Sequence, residues 1–213
     1  QFIALNKESA DNKLANGSAA LWTSRMFSGM PGYLTGGLEF SNILQYTPRL
    51  LFFKLVRLIP DPAMEIFYLL ICAFIGFYVL TRKISYSVLG ALAIGFCTAN
   101  FVSLDAGHIT KVNTIAMFIP FFASVWLIVQ RKYLLVTALF LVFGNEIIAT
   151  SHIQIAYYSF ILVGLYMLYA LINKIINKES KDAFIATSII IASFTVIGMM
   201  NFHNYFVNDF SKD

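Results

Sequence analysis

Charge is what this chain lacks. Only 12% of its 213 residues are Asp, Glu, Lys or Arg, against roughly 25% in a typical soluble domain. So few charges cannot coat a chain that is 59% hydrophobic. A water-soluble globule is excluded, and lipid is the solvent that fits. Cysteine is scarce as well. Cys72 and Cys97 both fall inside apolar runs and read as small buried hydrophobes, not as a disulfide or a metal pair. A Gly-rich phosphate loop, a His-Glu-x-x-His spacing and a Ser-His-Asp order are all missing. Nucleotide-loop, zinc-hydrolase and triad chemistry therefore have no basis in the sequence. No internal repeat or low-complexity segment is visible. The net charge of +4 does not point to nucleic acid, because seven of the basic residues fall in short connectors between apolar runs, which is a membrane-topology pattern.

What is present is a succession of those runs. Six are long enough to cross about 30 Å of hydrocarbon: 63–80, 84–103, 112–130, 133–150, 153–173 and 183–200. They are too long and too uniformly apolar for barrel strands, so they predict helices. The fold class expected is all-α, a polytopic helical membrane protein with about six transmembrane helices. Arg82 and Lys83, Arg131 and Lys132, and Lys174, Lys178 and Lys181 occupy every second connector, and the others carry Lys111 or nothing basic. The positive-inside rule puts the basic set in the cytoplasm. Residues 1–61, 104–111, 150–153 and 201–213 then share the outer side.

Three regions follow: 1–61 as an extracytoplasmic loop, 62–202 as the helix bundle, and 203–213 as the start of a further outer segment. Within the loop, residues 6–18 predict a short solvated helix ending at Asn16-Gly17. Residues 41–60 carry Arg49, Lys54 and Arg57, so a helix lying in the interface with its cations snorkelling fits better than a span. The chain starts at Gln1 and stops at Asp213 without a terminating feature. A piece of a longer protein is expected, with upstream helices missing.

Candidate chemistry gathers on the expected outer side. Asp105, His108 and Lys111 lie between the second and third spans. With a helix starting near Ile109, His108 and Lys111 stand at its first turn, where free N–H groups and the helix dipole favour a phosphate or carboxylate. Asp105 reads as a cap for that helix. The alternative is that Asp105 only caps and Lys111 only snorkels. Glu146 lies inside a span, where an acid is costly and faces a cavity or a partner. It either makes a helix–helix hydrogen bond in its protonated form or lines a polar pocket, pairing with Lys111 or His152. Asn145, Ala149 and His152 fall on one helical stripe. His203 has no evident partner and reads as structural. Tyr157-Tyr158 suits an interfacial belt or a stacking platform.

Taken together, Leu21-Trp22-Thr23-Ser24-Arg25-Met26-Phe27-Ser28-Gly29-Met30-Pro31, Ala106-Gly107-His108-Ile109-Thr110-Lys111, and Asn145-Glu146 through His152-Ile153-Gln154-Ile155-Ala156-Tyr157-Tyr158 resemble the bacterial YfhO-like membrane proteins, over about residues 10–210. The resemblance implies a GT-C-type glycosyltransferase in the bacterial cytoplasmic membrane. Such an enzyme transfers sugar from a polyprenyl-phosphate donor at the extracytoplasmic face. Its partners are membrane lipid and the lipid-linked sugar, and not nucleic acid. No cofactor is implied, and a divalent metal is left open. Arg25, His108 and Lys111 become phosphate or donor contacts. Glu146, His152 and Gln154 become pocket residues. The family's early acidic base follows its first transmembrane helix, so it is expected upstream of this sequence, and Glu8 and Asp11 match no motif. The competing readings are a transporter or flippase for a lipid-linked or anionic solute, and a structural membrane subunit.

Overall fold

The structure, a computed structural model, describes residues 11, 14–15, 22–23, 30–31, 52, 62–149 and 152–202. Arg25, Ser151, His203 and most of the 41–60 segment lie outside them. Among the described residues of the leading stretch, Asp11 and Leu14–Ala15 are helical. Strand β1 (Trp22–Thr23) pairs antiparallel with β2 (Met30–Pro31), Trp22 opposite Pro31 and Thr23 opposite Met30. Phe52 is helical, and its ring lies 5.0 Å from that of Tyr68.

The rest is helix: α1 (Ala63–Thr81), α2 (Ile84–Gly95), α3 (Thr98–Asp105), α4 (Ile109–Val129), α5 (Leu134–Ala149), α6 (Ile153–Ile176) and α7 (Ser180–Phe202). This is an all-α, multi-pass membrane protein. Helices α1, α4, α6 and α7 are each long and apolar enough to cross a membrane. The expected second span, 84–103, is not one helix. It is the bent pair α2–α3, turned by 40°. The break is chemically mended: Asn100 donates from Nδ2 to the Ile94 carbonyl at 2.6 Å, replacing a bond that the interrupted helix loses. Cys97 starts α3 and is exposed, whereas Cys72 is buried, so only one of the two cysteines is the buried hydrophobe expected. Helix α5 has 16 residues, or about 24 Å at 1.5 Å per residue, shorter than the expected run of 133–150.

Helix α4 is the hub. It packs on α1, α3, α5, α6 and α7, and Phe121 and Val125 at its centre are wholly buried. Lipid gives helices no hydrophobic reason to associate, so close packing and aromatic contacts must do it. Phe121, Phe140, Phe160 and Phe194 supply one ring each from α4, α5, α6 and α7. Their centroids stand 4.8 to 6.3 Å apart, mostly edge to face. Such pairs contribute about 0.5–1.5 kcal/mol each beyond burial. Gly76 lets α1 lie directly on the Ile119–Pro120 backbone of α4.

The two ends of the bundle differ. At one end Arg82, Arg131 and Lys178 each take the left-handed conformation just after a helix. There their charge meets the negative end of the dipole. Arg131 also bridges to Glu179 (3.2 Å) and Asp182 (2.8 Å), and Lys174 to Glu179 (3.2 Å). The Lys174 hydrogen bond, then the Arg131 charge, holds the Glu179 carboxyl below its ordinary range. We call this the basic face. At the opposite end the corresponding left-handed position after α3 is Gly107.

A Cβ at Gly76 would stand 2.5 Å from Ile119 Cγ2 and 3.0 Å from the Ile119 and Pro120 main chain, while nothing lies within 4 Å of one at Gly164. Thermal unfolding in detergent should therefore separate two equal mutations. Gly76→Ala loses about 1–3 kcal/mol by overpacking, and Gly164→Ala on α6 is neutral or gains up to about 1 kcal/mol of helix propensity.

Candidate functional site

The α3–α4 turn builds the first half of the site. The chain leaves α3 through a closed cap: the Gly107 N–H donates to Leu104 O at 2.9 Å and the His108 N–H to Ser103 O at 2.7 Å. This pattern needs a left-handed residue between the helices, and Gly107 supplies it with φ 82°. His108 then becomes the N-cap of α4, with no side-chain cap hydrogen bond. Asp105 does not cap α4. It is the last residue of α3, exposed, on the far side of the turn. Lys111 is half-buried in the first turn of α4.

The second half comes from α6. His152 is its N-cap, again without a side-chain cap bond. It is therefore not the end of an α5 stripe through Asn145 and Ala149. Helix α5 stops at Ala149. Helices α4 and α6 run side by side in the same direction. Lys111 and His108 act electrostatically on His152 at one end, while Phe121 meets Phe160 and Phe122 meets Tyr166 deeper in. Two helix N-termini, each headed by a histidine, thus open side by side. Each presents first-turn N–H groups and roughly half a positive charge. The sequence pointed to only one of them, that of α4.

Partial burial holds the His152 imidazole below its ordinary value. Its own main chain opposes this, and the charges of Lys111 and His108 reinforce it. Nδ1 is enclosed and has no hydrogen-bonding neighbour beyond that main chain among the described residues. The His152 imidazole is thus biased toward its neutral form, and an incoming anion would oppose that bias.

Below this rim lie buried polar side chains. Glu146 is 3% exposed and near enough to Cys72 of α1 for its charge to act there. No ion pair joins it to Lys111 or His152 among the described residues, so the pairing expected for it is not formed. Asn145 accepts at Oδ1 from Asn201 Nδ2 of α7 at 3.0 Å. Gln154 is exposed and donates to Tyr158 Oη at 3.2 Å, turned along its own helix. Three residues were missed in the sequence: Glu65 in the first turn of α1, Asn113 and Asn201, all buried. Asn113 is the most unusual. It is fully enclosed, and neither its Nδ2 nor its Oδ1 has a hydrogen-bond partner among the described residues. Each such atom left unpaired costs about 1–3 kcal/mol. Its signal in the sequence was an amide two residues after Lys111 at the head of an apolar run.

The arrangement suits an anion: one fixed cation, two histidines and two helix N-termini at one rim. Among the described residues no three His, Cys, Asp or Glu side chains are grouped to hold a metal ion. No family model, curated protein or solved structure matches the chain.

The His152 shift fixes the sign of a pH effect. The unfolded chain takes up a proton near pH 6.5, and the folded chain does so only at lower pH. Stability should therefore fall as pH drops below about 6.5, because the unfolded state binds more protons there. Melting curves between pH 7.5 and 5.5 should show this step, and His152→Asn should flatten it.

Proposed function

We propose that this face binds the phosphate of a polyprenyl-phosphate-linked sugar, and that the protein transfers the sugar as a GT-C-type glycosyltransferase. The observation that carries the reading is the pairing of two helix N-termini, His108 and His152, around Lys111. It agrees with the likeness of the Ala106–Lys111 and Glu146–Tyr158 segments to the YfhO-like motifs. Orientation follows from the connectors: with the basic face in the cytoplasm of a bacterium, the histidine face is extracytoplasmic.

In the reaction an acceptor hydroxyl attacks the anomeric carbon. The bond from that carbon to the phosphate oxygen breaks, and the phosphate leaves with the electron pair. Negative charge grows on that phosphate, where Lys111, His108 and the two dipoles are already aimed. Positioned charges of this kind stabilise a transition state without having to reorganise. A carboxylate at the same face takes the acceptor proton. Among the described residues, the buried carboxylates on this side are Glu65 and Glu146.

The burial pattern weighs against a transport path. Every buried Asn or Glu among the described residues stands within five residues of a helix end on the histidine side: Glu65, Asn100, Asn113, Asn145, Glu146 and Asn201. Deeper, Ser124 and Ser193 give their hydroxyls to carbonyls of their own helices. A conduit would carry polar groups across the whole thickness.

Lys111→Ala in the protein in native membranes should abolish transfer of radiolabelled sugar from polyprenyl phosphate. The amount of folded protein should stay the same. Transfer at the parent rate would remove Lys111 from the reaction.

A further inference from the structure

The anion rim does not account for Asn113. Its amide is fully enclosed and lacks a partner at both nitrogen and oxygen among the described residues. A cation would satisfy only the oxygen, and an anion only the nitrogen. A group that donates and accepts together satisfies both, which is the chemistry of a hydroxyl.

Position narrows this further. Asn113, Met117 and Phe121 stand at i, i+4 and i+8, on one face of α4. Met117 Sδ accepts from Tyr68 Oη of α1 at 3.5 Å, Pro120 at i+7 lies against Gly76 of α1, and Phe121, further round the helix, packs on Phe140 of α5 as well as on Phe160 of α6 and Phe194 of α7. Asn113 therefore faces the seam between α1 and α5. Those two helices both lie on α4 but hardly on each other. The same seam holds Cys72 within electrostatic reach of Glu146. Lys111, by contrast, lies on the side of α4 that meets α6 and His152. Seam and rim open from the same first two turns of α4.

We infer that Asn113 marks a hydroxyl-binding pocket in the α1–α4–α5 seam, about one helical turn inside the phosphate rim, and that it holds a sugar hydroxyl by donating from Nδ2 and accepting at Oδ1. This rests on the phosphate reading above and assigns the sugar end of the same ligand. A phosphate at the α4 N-terminus leaves its sugar next to the second turn of the helix, where Asn113 lies. Glu146 lines the same seam from α5 and turns it toward polyhydroxy ligands. The pocket does not require Glu146 to be unengaged.

The test compares two probes in detergent micelles, polyprenyl phosphate and polyprenyl-phosphate glucose, against the whole chain. Asn113→Leu should raise the melting temperature, since a buried amide without partners is replaced by a hydrocarbon of similar size. It should bind polyprenyl phosphate as the parent does and lose the added affinity for the glucosyl form by about tenfold. Lys111→Ala should weaken both probes alike. Asn113→Leu that leaves both affinities unchanged, or weakens both equally, overturns the pocket. So does a parent that binds the two probes equally. Lys111→Ala without effect on either probe overturns the phosphate reading instead. Asn113→Ala, read in the same way, serves should the leucine variant not fold.

Discussion

A lipid interior offers the main chain no hydrogen-bond partner except the protein itself. Each interruption of a helix must therefore be repaired by a nearby group, and the repairs decide where everything else sits. Asn100 takes the Ile94 carbonyl at the α2–α3 bend. Gly107 turns the chain so that Ser103 and Leu104 find donors. Arg82, Arg131 and Lys178 close three helices in the left-handed conformation, which costs about 1–2 kcal/mol in a residue other than glycine. At those three ends a cation beside the helix C-terminus offsets part of that cost. Glycine stands at the opposite end, where a positive charge would lie beside two helix N-termini.

The two faces are therefore electrostatically unlike. On the basic face Arg131 is tied to Glu179 and Asp182, and Lys174 to Glu179. Solvent screens these bridges, so they add little to stability, but they join the α4–α5 and α6–α7 connectors. On the histidine face the described ion pairs do not include Lys111, and His152 is biased toward its neutral form by burial and by its neighbours' charge.

The helices were largely legible in the sequence, because uniform hydrophobicity over twenty residues permits little else in lipid. The 84–103 span was misread for a physical reason. Its break before Thr98, closed by the Asn100 amide on the Ile94 carbonyl, leaves no mark on hydropathy. The site was legible in part. His108 and Lys111 were placed at the α4 terminus by the start of an apolar run. His152 was placed in the 150–153 connector, but its helical spacing from Asn145 and Ala149 read as one stripe, whereas it heads α6. Asp105 was taken as a cap through its type and position, yet the Gly107 turn carries it to the far side. Glu65, Asn113 and Asn201 were passed over because single polar residues near the ends of spans commonly face water.

The cost of those three buried groups shows why they are informative. Along α4, polarity is compressed into the first two turns: Lys111, Asn113 and Thr114, followed by an apolar interior from Ala116 to Val129 relieved only by Ser124. Helices α5 and α7 place Asn145, Glu146 and Asn201 at their ends near the same level. A bundle selected only for stability gains from replacing such groups with hydrocarbon, as buried polar clusters elsewhere do. Deeper in the bundle Ser124 and Ser193 are buried, and both give their hydroxyls to carbonyls of their own helices. Among the described residues the buried Asn and Glu side chains therefore cluster at one end, next to the two histidine-headed helices. Of these groups, Asn113 is the one with no hydrogen-bond partner at either nitrogen or oxygen among the described residues, and it stands two residues after Lys111.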